Sequence, residues 1–218
     1  MTKRVVAILG DFYHNEALAK QSFELAIQEI DRIDFEYTTV GHLVDSLKSK
    51  PDLVVLFAEN RLNPQDAKVN TWMDDHAVKA IRDYVNDGGG WLAWHSGLAS
   101  YKNFTDYISM LNGYFEHHPV EHQVVTYSAA GSSLINRNER FEFSDEHYFV
   151  TCDEENTNVF LRSESVDGSS IAGWEHPFGK GRVICLTPAH LEEGLLHPSL
   201  IKLLVNSIKL GCNLEHSY

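Results

Sequence analysis

The stretch Gly88-Gly89-Gly90-Trp91-Leu92-Ala93-Trp94-His95-Ser96-Gly97 decides how the rest of the chain is read. Its glycines stop a helix predicted over Trp72–Asn86, which carries Ala77, Ile81, Tyr84 and Val85 on one face. Gly90–His95 then reads as an apolar, buried strand, and His95-Ser96-Gly97 as the turn that leaves it. A strand running straight into such a turn has the form of a nucleophile elbow, which holds one side chain up at the edge of a sheet. The residue held here is His95, and Gly97 permits the tight turn. An ordinary strand-to-helix turn with a capping histidine is the plainer alternative.

Outward from this segment, strands and helices alternate. Val5–Leu9 is a β-branched, apolar run closed by Gly10-Asp11, as expected of a buried parallel strand. From Asn15, a plausible N-cap, to Ile30 the residues Leu18, Phe23, Ala26, Ile27 and Ile30 recur at helical spacing. Phe35–Val40 reads as a second strand and Leu53–Ala58 as a third. The connections are too long for hairpins, so these are βαβ units in a right-handed, mostly parallel sheet covered on both faces, the α/β class. After Asn112 come short strand-like stretches, Gln123–Tyr127, Phe141–Phe143, Val159–Arg162, Ile171–Trp174 and Arg182–Leu186, which either extend the sheet or form an antiparallel edge. Leu200–Leu210 closes the chain as a helix with Leu203, Leu204 and Ile208 inward. With no repeat, low-complexity tract or linker, residues 1–218 read as one domain.

Composition narrows the function. The chain has 18 Lys plus Arg against 31 Asp plus Glu, a formal net charge of −13, which repels phosphate backbones and anionic leaflets; nucleic-acid and membrane-surface partners are not expected. The longest apolar runs fall far short of the roughly 20 residues that span a bilayer. Lys3 and Arg4 precede an apolar run too short for a secretion signal. Cys152, Cys185 and Cys212 are odd in number and far apart, so no disulfide framework is expected and the cytoplasm is the expected compartment.

Ligands of open α/β sheets bind beyond the carboxyl ends of the strands. There the first strand delivers Asp11, Tyr13 and His14, the third Glu59, Asn60 and Arg61, and the elbow strand His95 and Ser96. The chain has 12 histidines, several beside turns: His117-His118-Pro119, His122, His147, His176, His190 and His197. Neutral imidazole and carboxylate are the usual ligands of divalent transition metals, so His14, His95 and His190 with Glu146 form a reasonable set for an ion such as zinc, although their spacing matches no compact motif. Such a site is expected to lose affinity as pH drops through about 6, where imidazole protonates. Because His95 and His190 read as turn residues, their replacement by Ala is expected to leave the fold intact.

The segments GGGWLAWHSG (88–97), FEFSDEHY (141–148), GWEHPFGKGRVICLTPAH (173–190) and HPSL (197–200) resemble the ThuA-like, or trehalose-utilisation, family of the class I glutamine amidotransferase-like superfamily. The four motifs stand in the family's order, and the likeness covers nearly the whole chain. It implies a flavodoxin-like three-layer sandwich, an association with sugar metabolism, and a polar cleft built from His14, His95, Glu146, Tyr148 and His190. His95 and Ser96 match the family's His-Ser-Gly, Glu146 and Tyr148 its Asp-Glu-x-Tyr, and His190 the histidine after the Gly-Lys-Gly strand. His117 or His118 matches a further histidine, the doubling leaving the register open. The stretch Ser128–Arg140 departs from the family, which has His-Pro there. Glutamine amidotransferases carry a cysteine thiolate at the elbow; His95 stands there instead and Cys185 lies in an apolar strand, so glutaminase chemistry is not expected. Ser96 is a poor nucleophile candidate, because hydrolase elbows place glycine two residues before the serine and Trp94 fills that position.

Two functions fit. In one, an enzyme binds a small sugar, such as a keto-glycoside, and uses His95 or His190 as base or metal ligand with Glu146 as partner, in isomerisation, elimination or hydrolysis. Substrate contacts then fall to His14, Ser96, Tyr148, His118 and Trp94, and Trp94, Tyr13, Tyr101 and Tyr148 are either sugar-stacking or core residues. In the other, the same pocket binds a sugar without turnover, as a regulator. A scaffold without ligand is the weaker third reading, since interaction surfaces do not need histidine and carboxylate at strand ends. A homodimer is the base expectation for self-association.

Overall fold

Val5–Leu9 is buried along its whole length, as a strand covered on both faces must be. The computed structural model describes residues 1–131 and 134–214. Its first half runs β1 (Lys3–Leu9), α1 (Glu16–Gln28), β2 (Ile33–Tyr37), α2 (Leu43–Leu47), β3 (Leu53–Phe57), α3 (Asp75–Asn86), β4 (Gly90–Trp94) and α4 (Thr105–Leu111). The second half runs β5 (Gly113–His117), β6 (Gln123–Ala129), β7 (Arg140–Asp145), β8 (Phe149–Cys152), β9 (Asn158–Ser165), β10 (Gly168–Phe178), β11 (Gly181–Leu186), α5 (Glu192–Leu195) and α6 (Pro198–Gly211).

Nine strands form one sheet in the order β2-β1-β3-β4-β11-β10-β9-β6-β7. From β2 to β11 all pairings are parallel, in the flavodoxin-like 2-1-3-4-5 order whose crossovers reverse between β1 and β3. From β11 outward the pairings are antiparallel, so the late strands extend the sheet. β5 and β8 pair separately as a two-stranded sheet.

Alternation along the strands divides the core. Val5, Ala7, Leu9, Val55, Phe57, Trp94 and Leu186 face α1 and α6, with Phe23, Leu203 and Ile208 among their partners. Val6, Ile8, Leu56, Trp91, Ala93 and Cys185 face α2, α3 and α4, through Leu43, Ile81 and Tyr107. The result is three layers with helices on both faces of the parallel half.

Of the boundaries that differ from the sequence reading, two have a clear local cause. The second strand ends at Tyr37, and Val40–His42 already coil as a 3-10 turn, so β-branched Thr38, Thr39 and Val40 mimic a strand they do not extend. The third helix starts at Asp75, because the Asp74 carboxylate caps it by accepting from the Ala77 N–H; Trp72 instead donates its indole N–H to the Glu59 carbonyl and the Tyr101 hydroxyl. Asn15 caps α1 as expected, accepting from the Leu18 N–H.

Candidate active site

Three segments leave the carboxyl ends of β1, β4 and β11 and bring His14, His95 and His190 together, while Glu146 and Tyr148 arrive from the segment between β7 and β8. His95 is the tip of the elbow. It stands at φ 45°, left-handed backbone that a non-glycine residue adopts only where the surroundings impose it. Gly97 explains why the turn can be so tight: a Cβ there would sit 2.0 Å from the Leu56 carbonyl oxygen.

Two of the three imidazoles are oriented by a partner behind them. The His14 Nδ1–H donates to Asp11 Oδ1 at 2.6 Å, and the His95 Nδ1–H donates to the Thr187 carbonyl at 2.6 Å. These bonds fix the tautomers, leaving each Nε2 as a lone pair turned inward. The His190 backbone N–H is held by Asp145 Oδ1 at 2.7 Å. His14 Nε2, His95 Nε2 and His190 Nδ1 are all buried and find no hydrogen-bond partner among the described residues. Glu146 Oε2 lies 3.4 Å from His190 Nδ1 and 3.6 Å from His95 Nε2. One ligand atom from each of His14, His95, Glu146 and His190 lies within 4.8 Å of all the others. A tetrahedral zinc site with bonds near 2.1 Å has ligand–ligand edges of about 3.4 Å. The donor set therefore fits a divalent cation in number, chemistry and spacing.

The electrostatics favour the same charge pattern. Burial drives His95 down and His190 to about 4, so both are neutral near pH 7. Burial opposes ionisation of Glu146, but its interactions with the neighbouring imidazoles, His95 first and then His190 and His118, bring its carboxyl down to about 2. Burial likewise opposes ionisation of Asp11, and His14 together with the Glu59 and Tyr13 N–H groups brings it down to about 2. Asp145 has no such cation beside it, and burial pushes it up to about 7.

The other expected residues divide. Tyr148 stacks on His95 with ring centroids 4.3 Å apart, bracing the imidazole. His118, not His117, faces the site: His118 Nε2 lies 3.8 Å from Glu146 Oε1, while His117 stacks on Phe149. Ser96 is fully buried, its hydroxyl without a hydrogen-bond partner among the described residues. Trp94 is also fully buried and donates its indole N–H to the Pro188 carbonyl, so it has no face for a sugar and belongs to the core; the same holds for Tyr101, whose hydroxyl donates to the Ala58 carbonyl. Tyr13 remains exposed at the mouth with Arg61 above its ring. His95 stands on a turn as read, but it is completely buried rather than outside the core, so its replacement by Ala is expected to cost stability even where the fold is kept.

The sequence reading names Asp11 at this edge, Asp145 within FEFSDEHY and His122 among the turn histidines without giving any of them a role. Asp11 orients His14, and Asp145 holds two backbones. His122 completes the mouth, its Nε2 3.9 Å from Glu146 Oε1. The Asp-x-x-His spacing of Asp11 and His14 was the available signal for the orienting role of Asp11; nothing in the sequence pointed to a place at the mouth for His122. In the departing stretch Ser128–Arg140, residues 132 and 133 lie outside the described residues. A cleft of about 710 Å³ between α3 and α4 lies elsewhere; in it Arg82 pairs with Asp106 and Lys79 with Asp83.

The family model for trehalose utilisation, ThuA, matches residues 8–210. The chain belongs to the ThuA family. No curated protein is found to match its sequence. Its fold is similar to that of a ThuA-like protein from Parabacteroides merdae ATCC 43184, with TM-score 0.73 at 12% identity over 100% of this chain and 93% of that one. It is also similar to a cytoplasmic protein from Salmonella typhimurium LT2, with TM-score 0.65 at 15% identity over 96% of this chain and 99% of that one. A β-galactosidase from Bacillus circulans sp. alkalophilus shares the fold over 97% of this chain but only 31% of its own, with TM-score 0.64 at 11% identity. At these identities the likeness is one of fold. In this ThuA chain the elbow tip is His95, and Cys185, on β11 beside the elbow strand, is buried in the core with its thiol pushed well up by that burial. No helix among the described residues is long and apolar enough to cross a membrane.

Proposed function

We propose that this ThuA-family protein binds and transforms a small sugar bearing a carbonyl group, a keto-sugar, in the cleft of His14, His95, Glu146 and His190, and that these four hold a divalent cation such as zinc. One observation carries the reading: three buried imidazole nitrogens without hydrogen-bond partners and one ionised carboxylate oxygen converge on a single point. Three buried ring nitrogens without a hydrogen-bond partner among the described residues cost too much to bury for structural reasons alone. A bound zinc ion would polarise the sugar carbonyl as a Lewis acid. Glu146 Oε1 faces the mouth, where it is placed to take a proton from the carbon beside the carbonyl. His118 and His122 flank that oxygen and offer hydrogen bonds to sugar hydroxyls, and Tyr148 keeps the His95 ring from turning. Isomerisation and elimination both begin with such a proton transfer. The cytoplasm is the proposed compartment, on the unpaired cysteines and on the cytoplasmic label of the Salmonella protein.

The test follows keto-glycosides by NMR in D2O. Wild type is expected to turn over or exchange the proton beside the carbonyl, and Glu146→Gln to bind the sugar without doing either. Binding without turnover by wild type would instead assign a sugar-binding regulator, and no binding by either would overturn the sugar reading.

A further inference from the structure

Glu146 and His190 stand on segments without regular structure, between β7 and β8 and after β11. Neither a helix nor a sheet ladder fixes their backbones, yet their side chains must meet within a few tenths of an ångström to act together. A single side chain hydrogen-bonds to both backbones. Asp145, the last residue of β7, is fully buried, and its Oδ1 accepts both the His190 N–H at 2.7 Å and the Glu146 N–H at 3.0 Å. Its Oδ2 accepts the Tyr127 hydroxyl at 2.7 Å, from the neighbouring strand β6. β7 is the far edge of the sheet, four strands removed from β11, so no ladder joins these two segments; α5 packs on β7 through Gly194 and Phe143, and Asp145 makes the hydrogen bonds to the Glu146 and His190 backbones themselves. Burying a carboxyl beside Tyr127 with no cation in contact is a cost that folding alone would avoid.

We infer that Asp145 is a positioning residue: its carboxylate ties the His190 and Glu146 backbones together and so sets the separation of His190 Nδ1 from Glu146 Oε2 that the centre needs. Tyr127 orients the carboxylate by occupying its second oxygen. Asp145 itself touches neither the cation position nor the substrate. The inference rests on the metal reading above for its function, but the clamp can be measured without metal.

The test uses Asp145→Ala, Asp145→Leu, Asp145→Asn and Tyr127→Phe in the full chain, with three readouts: zinc affinity by competition with a chromophoric chelator, amide exchange at residues 146 and 190 in metal-free protein, and melting temperature. Asparagine keeps an acceptor oxygen for both amides, so Asp145→Asn is expected to hold zinc within about threefold of wild type. Ala and Leu keep no acceptor; leucine also fills the volume, which covers failure of the alanine variant to fold. Both are expected to weaken zinc binding at least about tenfold, the scale on which outer partners of metal ligands act. Exchange at the two amides should accelerate by a similar factor while α1 and α6 stay protected. Tyr127→Phe should stay within about threefold on both counts. Unchanged zinc affinity in Asp145→Leu, equal losses in Asp145→Asn and Asp145→Leu, or failure of both Ala and Leu variants to fold would overturn the assignment. Absence of zinc binding by wild type would overturn the metal reading alone, and the exchange of the two amides would then decide the clamp.

Discussion

Replacing Asp11 by alanine tests how far the centre depends on a residue behind it. The Asp11 side chain is 7% exposed and accepts from the Tyr13, His14 and Glu59 backbone N–H groups and from His14 Nδ1–H. Its carboxyl titrates near 2 in the folded chain against an ordinary 3.8, and at 1.36 kcal/mol per tenfold change in proton affinity this amounts to about 2.4 kcal/mol. The alanine variant also leaves buried donors without acceptors, at about 1–3 kcal/mol each, but these are the same interactions counted another way. A net destabilisation of about 2–3 kcal/mol at pH 7 is therefore expected. The folded value is depressed, so the stabilisation is complete above the unfolded value and is lost as pH falls from about 4 towards 2. Urea unfolding of wild type and Asp11→Ala at pH 7 and pH 3 measures both points, and the difference between the proteins should shrink at the lower pH. Without Asp11 the His14 ring is free to turn, so zinc affinity should fall by about 10–100-fold. A stability difference below about 0.5 kcal/mol at pH 7, or unchanged zinc affinity, would refute the reasoning.

Three further outcomes are expected. Gly97→Ala would drive a Cβ to 2.0 Å from the Leu56 carbonyl oxygen, a backbone atom that cannot swing aside, so urea unfolding should show a loss of about 3 kcal/mol together with weakened zinc binding as the elbow shifts. His95→Ala removes a fully buried ring packed between Phe57 and Tyr148 and should lower stability by about 2–4 kcal/mol, readable in the same assay. His190 titrates at about 4 when folded against an ordinary 6.5, so the unfolded chain binds the proton more readily between those values and the metal-free protein should lose stability as pH drops from 6.5 towards 4. For the same reason zinc should be retained well below the pH of about 6 expected for an exposed imidazole, which a chelator titration across pH 4–7 checks.

The parallel half of the sheet is legible because each of its strands is an apolar run with a turn signal at its end, and the polar residues just past those ends must meet at the carboxyl edge. His14, His95 and His190 follow from that rule, since β1, β4 and β11 lie close together in the sheet. Glu146 is less accessible to local reasoning. It sits past the end of β7, at the opposite edge of the sheet, and reaches His95 only because the chain doubles back between β7 and β8; the family motif, not the spacing, points to it. Asp145 is hidden for the same reason: its partners, His190 and Tyr127, are 45 and 18 residues away, and their meeting depends on the β9-β6-β7 pairing. Trp94 misleads in the other direction. Its place beside His95 suggests a ligand contact, but the side chains of neighbouring strand residues point to opposite faces, and its own goes into the core.

The most direct measurement is the metal content of the purified full chain by mass spectrometry, beside Glu146→Gln and His190→Ala, after exposure to equimolar zinc and desalting. The account predicts close to one divalent ion per chain in wild type and its loss in both variants, with the variants still folded by circular dichroism. Zinc absent from wild type, or retained at the wild-type level by both variants, would contradict it.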